Sequence, residues 1–260
     1  MLSDTNARLA AARRLTQSRG RREAGRFLAE GAQAVREALA VAGVVVEVFA
    51  TEQALVRHDG LLGGAPVSVI SDKAAASLSE TVTPQGLVAV CRHVDVELSQ
   101  ALSRRPSLVA MLVDVSDPGN AGTILRTADA AGAGLVVLAG SSVDCYNGKS
   151  VRASAGSLFH LDVVTGVGAG DAVAAARSAG LISIATSGRG EHDLDDLIDA
   201  GRLAAPTLWL FGNEAHGLPA EVIEAADLSA RVPLRGRAES LNLAAAAAVC
   251  LYSSARAQRR

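Results

Sequence analysis

Five polar side chains stand where open α/β sheets carry out chemistry: Asn120, Arg126, Glu214, Ser240 and Asn242. Asn120 follows an apolar run and a Pro118-Gly119 turn, a position suited to capping the helix that starts there. Arg126 lies six residues on, in the second turn of a helix otherwise built of small and apolar residues. A permanent cation in that setting needs an anionic partner or water, and the spacing aims it at the carboxyl edge of the sheet. Glu214 follows the strand-like run Thr207–Phe211 and sits in the loop where such sheets place ligands. Gly212 and Gly217 let that loop turn sharply or approach a ligand. Ser240 is an N-cap candidate for a long alanine-rich helix, with Asn242 two residues behind it. A fixed cation with hydroxyl and amide donors around it suits the holding of a polar or anionic ligand at the ends of the strands.

These residues need a parallel sheet to bring them together. After a polar stretch from His93 to Pro106, a strand at Leu108–Val115 is followed by strands near 135–139, 158–164, 181–186, 207–211 and 228–232. Helices near 120–132, 171–179, 193–199 and 240–257 alternate with them, and strands apolar throughout predict a parallel sheet covered on both faces. Upstream, a helix at 5–18, a strand at Arg26–Ala29 and a helix at Ala32–Val41 begin a smaller α/β unit. Strands at Val44–Ala50, Val67–Ile70 and Leu87–Cys91, with helices at Glu52–His58 and Asp72–Ser79, complete it. The expected division is residues 1–92, a linker at 93–106, and 107–260.

Composition narrows the class. With 49% apolar and 20% charged residues among 260, the chain is globular, with room for two modest domains. No apolar run is long enough to span a bilayer, and the first residues lack a secretory pattern, so a cytoplasmic location without membrane partners is expected. Cys91, Cys145 and Cys250 are odd in number and far apart, which predicts buried thiols and neither disulfide nor metal. The net charge is -2, but residues 1–26 hold Arg8, Arg13, Arg14, Arg19, Arg21, Arg22 and Arg26 against Asp4 and Glu23. A basic arm of that kind attracts phosphate backbones; a solvated helix face in an arginine-rich protein is the alternative. Gly166-Val-Gly-Ala-Gly170 departs from the dinucleotide fingerprint, with Asp171 in its last place, and reads as a flexible connection.

Asp117-Pro-Gly-Asn-Ala-Gly-Thr-Ile-Leu-Arg126, Leu210-Phe-Gly-Asn-Glu-Ala-His-Gly-Leu-Pro219 and Val232-Pro-Leu-Arg-Gly-Arg-Ala-Glu-Ser-Leu-Asn-Leu243 occur in an order and at a spacing that resemble the three motifs of the SpoU/TrmH family of RNA 2'-O-ribose methyltransferases. Arg21–Gly31 and Thr83–Val90 are similar to the L30e-like substrate-binding domain that precedes such catalytic domains. The resemblance implies a C-terminal SPOUT domain with a deep trefoil knot, a fold that periodicity does not reveal. It implies S-adenosylmethionine as cofactor, with Thr186, Gly212, Asn213, Val232, Leu234 and Leu241 around it, and no metal. It also implies a homodimer formed through the last helix. Asn120, Arg126, Glu214, Ser240 and Asn242 would be the catalytic group, and the polar segment Asp144–Gly156 would lie nearby, with Lys149 and Arg152 touching RNA beside the arm's Arg13, Arg14, Arg19, Arg21, Arg22 and Arg26. Ribosomal RNA is the expected substrate, most simply 23S rRNA; a tRNA substrate, or an idle RNA-binding assembly factor on the same fold, are the alternatives.

Overall fold

In the computed structural model, which describes residues 1–259, the chain forms two compact units. One contains Met1–Val94 with Asp144–Phe159; the other contains Asp95–Val143 and the chain from His160 onward.

The first unit is built on a four-stranded sheet, β1 (Arg26–Glu30), β2 (Val45–Ala50), β3 (Val67–Val69) and β4 (Leu87–Arg92), in the order β1-β4-β2-β3. β4 runs antiparallel to both its neighbours. The single helix expected at 5–18 is two, α1 (Ala7–Arg14) and α2 (Ser18–Ala24). Beyond the break the second helix comes close to the end of the first: a Cβ on Gly20 would lie 2.0 Å from the Arg14 carbonyl oxygen, an approach that glycine permits. Helices α3 (Ala32–Ala40), α4 (Glu52–Arg57) and α5 (Asp72–Ala76) follow, and Thr51 and Ser71 cap the last two through their hydroxyls. Leu9, Leu15, Phe49, Ile70 and Leu78 fill the core between α1, α5 and the sheet.

The second unit is a seven-stranded parallel sheet. The expected linker holds a helix, α6 (Leu98–Ser103), because Leu98, Ala101 and Leu102 at helical spacing turn one face into the core. Then come β5 (Leu108–Val113), α7 (Pro118–Ala130) and β6 (Leu135–Ala139). The segment that follows, with α8 (Gly148–Ser154), groups with the first unit, where Tyr146 stacks 4.0 Å from His93 and 4.7 Å from Phe27. That aromatic cluster also explains why the strand expected at 158–164 starts late: Phe159 belongs to a 3-10 turn packed on Phe27, and β7 runs Asp162–Val167.

The remaining elements are α9 (Ala169–Ser178), β8 (Ile182–Thr186), β9 (His192–Asp193), α10 (Leu194–Asp199), β10 (Thr207–Phe211), α11 (Ala220–Ala225), β11 (Leu228–Arg231) and α12 (Leu243–Ala257). Gly166–Gly170 is therefore no open connection; it ends β7 and begins α9. The strand order is β7-β6-β5-β10-β8-β11-β9. β5 is buried at every position, as a strand covered on both faces must be. α6, α9 and α11 cover one face, while α7 and α12 pack together on β5 and β10. A buried bond from Trp209 Nε1 to Ser254 Oγ, at 2.9 Å, pins α12. From β5 the chain builds outward to β6 and β7, then returns to the other side of β5, and that reversal opens a crevice at the strand ends. Among the described residues no helix is long and apolar enough to cross a membrane.

Candidate active site

The strand order juxtaposes the carboxyl ends of β5, β10, β8 and β11, and a cavity of about 880 Å³ lies there. Asn120, Thr186, Gly212, Asn213, Glu214, Val232, Leu234, Ser240, Leu241 and Asn242 all line it. Segments separated by more than a hundred residues in sequence thus share one wall.

At its polar end the three motifs are wired together. The Glu214 carboxylate accepts from Ser116 N (3.1 Å), Ser116 Oγ (3.0 Å), Asp117 N (3.1 Å) and Asn120 Nδ2 (3.0 Å). Asn242 Nδ2 then donates to Asn120 Oδ1 at 3.1 Å. Partial desolvation pushes the Glu214 carboxyl up, but the Asn120 amide and the backbone N–H groups of Ser116, Glu214 and Asp117 outweigh it and hold the group at about 2. A carboxylate so stabilised is a poor proton acceptor; Glu214 is a strut between the first two motifs. Its folded value lies below the ordinary carboxylate range, so the stability it contributes is complete above about pH 4.5 and lost as pH falls toward 2. Glu214→Gln is expected to lower the thermal midpoint at pH 7, with the difference from wild type shrinking steadily between those two pH values. A difference independent of pH would contradict the assignment.

Capping differs from expectation at both helices. Asp117, not Asn120, caps α7, accepting from Gly119 N and Asn120 N, because Pro118 occupies the first helical position and leaves Asn120 inside the first turn. Asn242, not Ser240, caps α12, its Oδ1 accepting from Ala244 N and Ala245 N, and the helix begins at Leu243. Ser240 is left exposed on the cavity wall. The Asn213 side chain braces its loop: Nδ2 donates to the Asp114 carbonyl at 2.8 Å and Oδ1 accepts from Ala215 N and His216 N. The Thr186 hydroxyl donates to the Leu210 carbonyl, at 2.8 Å. Asp114 itself adopts φ 54°, and its carboxylate takes Ser141 N at 2.7 Å. Asp114, Ser116 and Asp117 are supporting residues that sequence reasoning missed, although Asp117 preceding Pro118 is a capping signature.

Arg126 stands apart. It falls in the third turn of α7, is exposed, and does not line the cavity of its own chain. Six residues advance a helix by about 9 Å and rotate it by about 240°, so Arg126 cannot share the face of Asn120. Among the described residues its guanidinium has no hydrogen-bond or ion-pair partner.

Five of the arm's seven arginines, Arg8, Arg13, Arg14, Arg19 and Arg21, have partners in the fold, with Arg14 and Arg19 still exposed. Arg21 is 2% exposed, with Nε on Asp144 at 2.8 Å and Nη1 on the Leu15 and Thr16 carbonyls, so it closes the end of α1 and is not a surface contact for RNA. Arg13 holds Ser77 and the Asp4 carbonyl, and Arg14 and Arg19 both pair with Glu23. Arg152 faces Glu30 and Glu80 at 3.5 and 3.9 Å, whereas Lys149 is exposed. Arg22 is exposed and Arg26 half-buried. Burial pushes the thiols of Cys91 and Cys250 up to about 12, which removes them as nucleophiles. Among the described residues no cluster of metal-binding side chains occurs.

Residues 107–252 match the model of the SpoU rRNA methylase family, and residues 6–89 that of the MRM3-like substrate-binding domain. A Bacillus subtilis protein named 23S rRNA (guanosine(2553)-2'-O)-methyltransferase is 35% identical over 92% of each chain. A Streptomyces viridochromogenes 23S rRNA (uridine(2479)-2'-O)-methyltransferase is 39% identical over 66% of this chain and 61% of its own. The structure of an AdoMet-bound rRNA methyltransferase from Sinorhizobium meliloti superposes with a TM-score of 0.84 at 31% identity, covering 98% of this chain and 97% of that one.

Proposed function

The chain belongs to the SpoU rRNA methylase family, and from that premise we propose that it transfers a methyl group from S-adenosylmethionine to a ribose 2'-hydroxyl of 23S rRNA. The observation that carries this reading is the convergence of all three motifs on one cavity at the ends of β5, β10, β8 and β11. The relatives' names agree on 23S rRNA and on the 2'-oxygen while differing in nucleotide, which supports the reaction and leaves the position to experiment.

The lining fits the cofactor. Leu234 and Leu241, each 41% exposed, offer apolar surface to a purine, and the tight Gly212 loop brings backbone within reach of a ligand. S-adenosylmethionine supplies an electrophilic methyl when bound. The protein's own work is to position the ribose and favour charge on its oxygen. Asn120 and Asn242, fixed by each other and by Glu214, present amides at the polar end, and Ser240 adds a free hydroxyl. Glu214 is saturated with donors, so the hydroxyl proton leaves to a substrate phosphate or water. Arg126, always protonated, orients ribose and phosphate and stabilises the developing alkoxide. The knotted threading belongs to the same reading, supported by β10 lying between β5 and β8. Calorimetry with a chelator present tests the cofactor: saturable S-adenosylmethionine binding is expected, and none, even with 23S rRNA added, would refute it.

A homodimer completes the site. Ala245, Val249, Tyr252 and Arg256 form an exposed stripe on α12, with Val249 41% and Tyr252 51% exposed. α12 packs beside α7, whose outer side carries Arg126. Pairing of this surface between two copies brings Arg126 of one chain toward the other's cavity. Light scattering at micromolar concentration is expected to report a dimer, and Val249→Glu/Tyr252→Glu a monomer. A monomeric wild type would contradict the interface.

A further inference from the structure

Arg26 and Arg92 are direct partners across the antiparallel pair β1–β4. Side chains at such positions share one face of the sheet with Cβ atoms about 4.5–5.5 Å apart, and like charges there repel. Five other arginines of this unit have acidic partners: Arg8 on Glu47, Arg14 and Arg19 on Glu23, Arg21 on Asp144, Arg152 on Glu30, while Arg57, at the end of α4, stands alone among the described residues and without a facing arginine. Among the described residues, Arg26 and Arg92 have no such partner, and neither has the exposed Arg22. Arg26 and Arg92 meet through strand register, and Arg22 lies four residues before Arg26 in the helix that leads into β1. Gly25, in the left-handed conformation at φ 58°, turns α2 into β1, and its carbonyl accepts from His93 N at 3.0 Å, which sets the end of α2 against the end of β4.

We propose that Arg26 and Arg92, with Arg22 beside them, form the phosphate-docking site of the N-terminal unit, holding the backbone of the RNA substrate. The inference rests on the rRNA reading above and deepens it. Two arginines forced together without an anion suit a polyanion whose phosphates follow one another along a chain, since each guanidinium takes one phosphate and the mutual repulsion is relieved when both are filled. The site also redraws the basic arm: the useful charge lies at the end of the sheet, and Arg92 is supplied from outside the arm.

The test measures binding of the full-length protein to unmodified 23S rRNA transcript across about 50–200 mM salt, for wild type, Arg26→Gln, Arg92→Gln, the double variant and Arg57→Gln. Arg57 is likewise exposed in this unit but lies at the end of α4. The double variant is expected to lose about 1.4–1.8 from the log-log salt slope, 0.7–0.9 for each phosphate contact, with S-adenosylmethionine binding intact. Its thermal midpoint is expected to hold or rise, because repulsion is removed; a purely structural role would lower it. An unchanged slope, or an equal loss in Arg57→Gln, would overturn the site while leaving the rRNA reading in place. A wild type that binds S-adenosylmethionine but no rRNA would overturn both.

Discussion

Arg126→Ala is expected to lower the single-turnover methylation rate by about 10²–10³-fold, the usual cost of removing one charge-stabilising group from a developing oxyanion. Affinities for S-adenosylmethionine and rRNA should change little, because the side chain neither lines the cavity of its own chain nor holds any part of the fold. A fall in affinity at constant rate would make Arg126 a docking residue. Subunit mixing tests from which side it acts. Mixed with Gly212→Ala subunits, which keep Arg126, at an S-adenosylmethionine concentration too low to fill their weakened cavity, the Arg126→Ala protein should regain activity in hybrid dimers. No recovery in hybrids shown to form would place Arg126 at its own chain's cavity.

Gly212→Ala is expected to weaken S-adenosylmethionine binding by about ten- to a hundredfold, the equivalent of an overpacking cost of about 1–3 kcal/mol. An added Cβ would lie 2.3 Å from both Gly217 C and Leu218 N, and these are backbone atoms that cannot swing aside. The loop is closed by the reciprocal bonds Asn213 N to Gly217 O (2.9 Å) and Gly217 N to Asn213 O (2.8 Å), so relief requires opening it. Opening it also moves Glu214 off Ser116, Asp117 and Asn120. Gly236→Ala is the control, since a Cβ there meets nothing within 4 Å. Calorimetry on the two variants decides: equal affinities would show that the tight turn at Gly212 is not what shapes the cofactor wall.

Much of this site was legible in the sequence because loops at strand ends carry their chemistry in short runs. Asn120, Glu214 and Asn242 were identifiable from their motifs, and the structure brings them into one hydrogen-bonded chain. The division of labour within each run was not legible. Which of Asp117 and Asn120, or of Ser240 and Asn242, caps its helix depends on where the first helical residue falls, a matter of one or two positions. Within the basic arm, counting arginines says nothing of their partners: Arg21 disappears into the fold against Asp144, far along the chain, while Arg92 joins Arg26 only through strand register. α6 was hidden in a polar stretch whose three apolar residues carry the helix. The threading of β10 between β5 and β8 comes from long-range pairing that no local pattern encodes.

The central claim is tested most directly by incubating the purified protein with unmodified 23S rRNA and S-adenosylmethionine and mapping ribose methylation along the transcript. A methyl group on the 2'-oxygen of a defined nucleotide, formed far more slowly with Arg126→Ala, is the result expected. Methylation on a base, or none with a protein that binds both cofactor and rRNA, would contradict the account.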